Sequence, residues 1–203
     1  MRRLTGNIPP QELMVPVGVS VRHVHLSQEM LDQLYGAGCR LTKLRDLSQP
    51  GSYAANETLT VVGPRMRVIE GVRILGPLRN YSQVELSRTD GIVIGLDLPV
   101  RESGDLRDAA PITLVGPAGS VTLPHGAIRA ARHIHMSPKD ARQFGLEGVK
   151  RVRVRVDGEK GLIFEQVSLN LGDELIPELH LDTDDANAAD LTCGDSVVIE
   201  RVA

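Results

Sequence analysis

The phrase Arg22-His23-Val24-His25-Leu26-Ser27 recurs later in the chain as Arg132-His133-Ile134-His135-Met136-Ser137. Four of the six positions are identical, and the other two exchange one apolar residue for another. The chain holds six histidines, and these two phrases use four of them. In an extended segment side chains alternate between faces, so His23 and His25 point one way, as do His133 and His135. Two imidazoles on one face of a strand form a ligand pair for a borderline-soft metal such as zinc. A single His-X-His is more often the polar face of a half-buried strand. Its return inside the same flanking residues points to duplicated chemistry.

An internal repeat in 203 residues favours two small domains over one large one. Hydrophobic residues at 41% and charged residues at 24% are ordinary for a soluble globular protein. Aromatics contribute only 2% and tryptophan is absent, which leaves Val, Leu and Ile to build the cores, a palette that favours strands. No run of about 18 apolar residues occurs, so no membrane partner is expected. The start, Met1-Arg2-Arg3-Leu4-Thr5-Gly6-Asn7-Ile8-Pro9-Pro10, has basic residues but no apolar stretch, and does not read as a secretory signal. Cys39 and Cys193 lack CxxC spacing and read as two buried free thiols in a reducing compartment. A net charge of −3 argues against a nucleic-acid partner. The expected location is cytoplasmic.

Val15 to Ser20 reads as a strand running into the first phrase. Ser27 then caps a helix with Met30, Leu31, Leu34 and Tyr35 at helical spacing, stopped by Gly36 and Gly38. The second phrase repeats this grammar with Ser137 as cap, Pro138 at the first helical position, Asp140 three residues after the cap and Gly145 at the end. Short β runs follow each copy. In the first half they are Glu57 to Val62, Val72 to Leu75, Gly91 to Ile94, Ile112 to Val115 and Ser120 to Leu123, punctuated by Gly63-Pro64, Gly76-Pro77, Asp90-Gly91 and Gly116-Pro117. In the second half they are the Val152-Val154-Val156 run alternating with arginines, Leu162 to Leu169, and Ser196 to Val202. Asp182 opens a short Ala-rich helix. Many short strands at this spacing predict a mainly β fold with short helices: two small β-barrel domains with a boundary near residue 130.

Third ligands are sought around each histidine pair. His180, in Glu178-Leu179-His180-Leu181-Asp182, would complete three imidazoles with His133 and His135, a set found in zinc sites that keep positions open. Alone, such a histidine is more often a core residue bonded to a carbonyl. For the first pair, Glu85 in Gln83-Val84-Glu85-Leu86-Ser87 is the candidate, although spacing hardly separates it from Glu57 or Glu70. His125, in the turn-like Leu123-Pro124-His125-Gly126, is expected to face solvent. Arg79 follows a Gly-Pro turn, and its planar fork suits phosphate or carboxylate, though a loop arginine is more often simply solvated. There is no Walker loop, no GxGxxG and no Gly-X-Ser-X-Gly elbow, which disfavours the common nucleotide folds and serine hydrolases.

The chain resembles the PduL-type phosphate propanoyltransferases, phosphotransacylases of bacterial microcompartments, from about Val17 to Val202. The likeness rests on Val19-Ser20-Val21-Arg22-His23-Val24-His25-Leu26-Ser27, Leu75-Gly76-Pro77-Leu78-Arg79, Gln83-Val84-Glu85-Leu86-Ser87, Ala131-Arg132-His133-Ile134-His135-Met136 and His180-Leu181-Asp182-Thr183-Asp184. It implies β-barrel domains at 22–130 and 131–203, the segment 13–21 crossing over to the second, with a dizinc site between the barrels. By the resemblance, His23, His25 and Glu85 match the ligands of a zinc that meets the coenzyme A sulfur. His133, His135 and His180 match those of a second zinc, Arg79 the arginine that holds phosphate, and Gln83 a substrate-binding residue. Val21 stands where asparagine is expected, Ser82 where threonine is, and Asp185 where glutamate is.

The implied reaction converts acyl-CoA (propanoyl-CoA or a similar short chain) and phosphate into acyl phosphate and CoA, as in propanediol degradation. Its partners would be acyl-CoA, CoA and phosphate, with a homo-oligomer and a microcompartment shell as further candidates. Encapsulated members resemble one another in a longer amphipathic N-terminal extension, whereas about fifteen residues precede the core here. A dinuclear zinc hydrolase of a thioester, ester or amide is the rival enzyme, and a metal-stabilised structural module the rival without catalysis.

Overall fold

The computed structural model describes residues 13–200; the reading of the start as no secretory signal, and the end of the last strand, lie outside them. The strands are β1 (Leu13–Ser20), β2 (His23–His25), β3 (Lys43–Asp46), β4 (Tyr53–Val62), β5 (Val68–Gly76), β6 (Gln83–Glu85) and β7 (Val100–Arg101). They continue with β8 (Ala110–Val115), β9 (Ser120–Ala130), β10 (His133–Met136), β11 (Arg151–Val156), β12 (Leu162–Leu171), β13 (Glu178–Asp182) and β14 (Ser196–Glu200). Four short helices intervene: α1 (Gln28–Tyr35), α2 (Arg88–Ile94), α3 (Pro138–Gln143) and α4 (Thr183–Ala188).

Two closed six-stranded barrels result. One runs β4-β5-β2-β6-β9-β8 and closes because β8 pairs with both β9 and β4, while β3 and β7 flank it. The other runs β1-β13-β10-β12-β11-β14. It is closed by β1, which lies parallel to β13 with Val17 opposite Leu179 and antiparallel to β14 with Val15 opposite Val197. As the poverty in aromatics foretells, the cores are aliphatic. Val24, Ile74, Val84 and Leu114 fill the first barrel, and Ile134, Val152, Val154 and Leu179 the second, all fully buried. Each such side chain contributes about 1.5–3 kcal/mol by leaving water.

Every helix begins at a polar cap. Ser27, Ser87, Ser137 and Asp182 accept from the backbone N–H of Met30, Asp90, Asp140 and Asp185. Gly91–Ile94 departs from its reading as a strand and lies in α2. The Ser87–Asp90 capping box fixes a helix start there, and Asp90-Gly91 falls inside the first turns rather than at a bend. His125 lies in β9 rather than a turn, and is exposed. Neither cysteine is buried: Cys39 is partly exposed and Cys193 exposed. Among the described residues no helix is long and apolar enough to cross a membrane.

Two of the Gly-Pro pairs have a packing reason. Gly116 abuts the backbone carbonyl of Leu34 at the end of α1, and Gly63 that of Ile94 at the end of α2. A methyl group at either would overlap a carbonyl oxygen that cannot swing aside. Gly116→Ala is therefore expected to destabilise the protein by about 1–3 kcal/mol, read as a lower urea midpoint without a changed slope.

Candidate active site

The histidine strands obey the alternation the repeat demands. Val24 is fully buried in one barrel core, while His23 and His25, 5% and 6% exposed, point from the other face of β2. Ile134 divides His133 from His135 in the same way on β10. Each strand has an antiparallel neighbour in matching register: His23 opposes Glu85 and His25 opposes Gln83, while His133 opposes His180 and His135 opposes Glu178. His23, His25 and Glu85 consequently form one triplet, and His133, His135 and His180 another, the donor atoms of each lying within 4.8 Å of one another. A cavity between the barrels is lined by His23 and Glu85 from one side and His133 and His180 from the other.

The two triplets are built alike. His23 Nδ1 donates to Val21 O at 2.9 Å and His133 Nδ1 to Ala131 O at 2.8 Å, which leaves each Nε2 lone pair for the cluster. His23 Nε2 lies 3.4 Å from Glu85 Oε2, and His25 Nε2 3.9 Å from Glu85 Oε1. In the other triplet the ring centroids are 4.5–5.0 Å apart. The arginine that opens each phrase also has a matching duty. Arg22 pairs with Asp90 in α2 at 2.7 Å, and Arg132 with Asp185 in α4 at 3.5 Å. Both acids sit three residues past a helix cap.

Burial sets the protonation states. It lowers His25 to about 3, helped by the nearby His23 and Arg79 charges, and lowers His135 to about 3, helped by His180 and His133. Burial also lowers His133. On Glu85, burial acts upward, but attraction to His23 and His25 overrides it and holds the carboxyl at about 2. Neutral imidazoles beside an ionised carboxylate are the forms that bind metal. Two ring nitrogens, His25 Nδ1 and His135 Nδ1, are buried without a hydrogen-bond partner among the described residues. The His₂Glu and His₃ donor sets, so protonated and so spaced, fit zinc.

Arg79 reaches this region from the segment after β5. Its backbone N–H donates to Leu26 O at 2.8 Å, its guanidinium lies over the Tyr81 ring and bonds the Tyr81 hydroxyl, and its charge is felt by both His25 and His135. Arg79 Nη1 and Gln83 Nε2 each donate to Ser103 Oγ at 3.0 Å, and Ser103 donates to Glu85 Oε1 at 2.9 Å. Gln83 also donates to Glu85 Oε1 at 2.7 Å and accepts from Gly104 N at 2.8 Å. His125 belongs to neither triplet. Ser103 was missed by the sequence reading, and nothing in Glu102-Ser103-Gly104 distinguishes it. Glu85 did have a signal: Gln83-Val84-Glu85-Leu86-Ser87 repeats the Val-X-Leu-Ser frame of His23-Val24-His25-Leu26-Ser27, with Glu85 in the place of His25.

A family model described as phosphate propanoyltransferase matches residues 16–192. A phosphate propanoyltransferase of Lachnoclostridium phytofermentans is 52% identical over 91% of this chain and 86% of the relative. One from Thermotoga maritima is 50% identical over 90% and 87%, and one from Priestia megaterium 48% identical over 93% and 87%. The twin barrels with their cleft are thus those of an acyltransferase enzyme, one with phosphate acyltransferase activity. The chain belongs to the phosphate propanoyltransferase family.

The protonation states make a prediction for the metal-free protein. Unfolded, His25 and His135 return to 6.5 and the carboxyls of Glu85 and Glu178 to 4.5, against folded values of about 3 and about 2. The unfolded chain then binds more protons at acid pH, so stability falls as pH drops below 6.5, first through the histidines and below 4.5 through the carboxylates as well. The melting temperature of the chelator-treated protein should fall between about pH 7.5 and pH 5, and His25→Ala should flatten that slope.

Proposed function

We propose that the protein transfers a short acyl group, propanoyl or one of similar size, reversibly between coenzyme A and inorganic phosphate, at a site that holds two zinc ions. His23, His25 and Glu85 would hold the ion facing the CoA sulfur, and His133, His135 and His180 the ion on the phosphate side. The observation that carries this reading is a pair of matching three-donor clusters on one cavity, with the Arg79 charge acting on both. The relatives' shared name supports the reaction class. We also read 22–130 and 131–203 as two domains with 13–21 crossing over, supported by the pairing of β1 with β13 and β14.

When bound, zinc supplies Lewis acidity, which stabilises a leaving thiolate and gathers phosphate oxygens. The chain's own residues do the rest. Arg79 offers phosphate a planar fork, steadied by Tyr81 and Ser103. Gln83, buried beside Glu85, keeps that carboxylate fixed while the substrates approach. A phosphate oxygen bonds to the acyl carbon, the carbon–sulfur bond breaks, and its electron pair leaves on the CoA sulfur. No side chain is acylated. Aligning two substrates lowers a barrier by roughly 7–11 kcal/mol in the best-oriented systems.

Two measurements test this. Elemental analysis should find two zinc ions per chain, with His23→Ala and His135→Ala each losing mainly one; a single equivalent in the wild type would overturn the two-ion reading. Arg79→Lys should retain both metals and bind CoA normally, while catalytic efficiency toward phosphate falls by about one to two orders of magnitude, the value of a charge-assisted bond at roughly 1.5–3 kcal/mol. Phosphate is varied at saturating acyl-CoA, and an unchanged dependence removes Arg79 from the site. CoA release that needs no phosphate would instead mark a hydrolase.

A further inference from the structure

The register that pairs the ligand strands makes Gln83 and Glu178 equivalent, since one opposes His25 and the other His135. Each bonds the candidate ligand two residues ahead on its own strand. Gln83 Nε2 donates to Glu85 Oε1 at 2.7 Å, and Glu178 Oε2 accepts from His180 Nε2 at 2.7 Å. Where the third ligand is a carboxylate, its neighbour is a donor. Where the third ligand is an imidazole, its neighbour is a carboxylate. The two positions differ between the barrels together and remain complementary.

Glu178 has no part in the reaction described so far, yet its carboxylate is held from several directions. It is 6% exposed. Oε2 accepts from Ser48 Oγ at 2.5 Å and from Gln49 Nε2 at 3.0 Å, both in the segment after β3 on the opposite barrel. Gln49 is itself pinned through both ends of its amide, donating to Ile176 O and accepting from Ile176 N at 3.2 Å each. On the remaining side the carboxylate lies against Gly18, where a Cβ would come within 2.9 Å of Oε1. A buried carboxylate with this many partners has one orientation, and it faces His180.

We propose that Glu178 is the positioning residue of the His133–His135–His180 cluster. By accepting the Nε2 hydrogen it fixes the tautomer of His180, leaving the Nδ1 lone pair for a metal, and Ser48 and Gln49 carry that control across from the other barrel. Carboxylate partners of ligating histidines act in this way, and their loss typically weakens metal binding 10–100-fold. The inference rests on the two-ion reading above.

The test is zinc affinity by chelator competition, in a His23→Ala background so that the second cluster is observed alone, with cobalt substitution for its absorption spectrum. Glu178→Ala should bind zinc about 10–100-fold more weakly there and shift the cobalt bands. Glu178→Gln, which keeps an acceptor oxygen and the side-chain volume, should recover most of that loss. With His23 intact, affinity at the first cluster should not change. If wild-type protein takes up fewer than two ions, the two-ion reading fails and this inference with it. If wild type takes up two, and Glu178→Ala holds both as tightly, only this inference falls. It falls equally if both clusters weaken alike, the metal-free melting temperature drops and glutamine gives no recovery, since that is the behaviour of a structural clamp between barrels.

Discussion

The two-residue period of an extended chain is the constraint on which this structure depends. On β2 and β6 both faces are buried, and on β10 and β13 the face against the barrel core is buried while His135 and His180 on the cleft face are half-buried. Val24, Val84, Ile134 and Leu179 take the core face, while the residues on either side of each face the cleft, the candidate ligands among them. A slip of one residue would put imidazoles into the aliphatic core and valine into the cleft, so packing energy and site geometry enforce the same register. On each of these strands the last candidate ligand lies two residues before a helix cap, which keeps the strands short and their direction fixed.

Burial couples that geometry to chemistry. The cleft disfavours a charged imidazole, so His25, His133 and His135 are pushed toward their neutral, electron-donating form. Glu85 stays ionised although it is buried, because two histidines flank it and Ser103 donates to it. The aliphatic surroundings that stabilise the barrels are thereby the same surroundings that prepare the donor sets.

What the sequence made legible follows from local physics. The repeated phrase, the serine caps, the Pro138 helix start and the aliphatic strands are all written within a few residues of one another, and they led to twin barrels. What escaped depended on distant partners. Spacing alone hardly separated Glu85 from Glu57 and Glu70; its local mark was the Val-X-Leu-Ser frame shared with His25, and the pairing of β6 with β2 sets it opposite His23. Ser103 and Glu178 gained their contacts from loops and from the other barrel, which no local pattern records. The α2 segment was misread because Gly91 and the β-branched Ile92, Val93 and Ile94 look like a strand locally, while the capping box and the burial of Ile94 outweigh that preference. The expectation of buried thiols failed for another reason: burial is a tendency of cysteine as a type, while Cys39 packs only at the margin of the first core and Cys193 is exposed.

The place of β1 in the second barrel shapes how this chain can be made and taken apart. The stave that closes that barrel is synthesised ahead of the entire first barrel, and its partners, β13 and β14, emerge only after that barrel has been made. Until then Val15 and Val17 have no core to enter, and a growing chain carries an unpaired edge that must be kept from other strands. Closing so long a loop costs chain entropy before any contact repays it, so the second barrel should complete its fold late and slowly. Severing the polypeptide between the barrels would likewise leave the later piece one stave short. Architecturally there are two barrels, but the chain that builds them cannot be divided by a single cut.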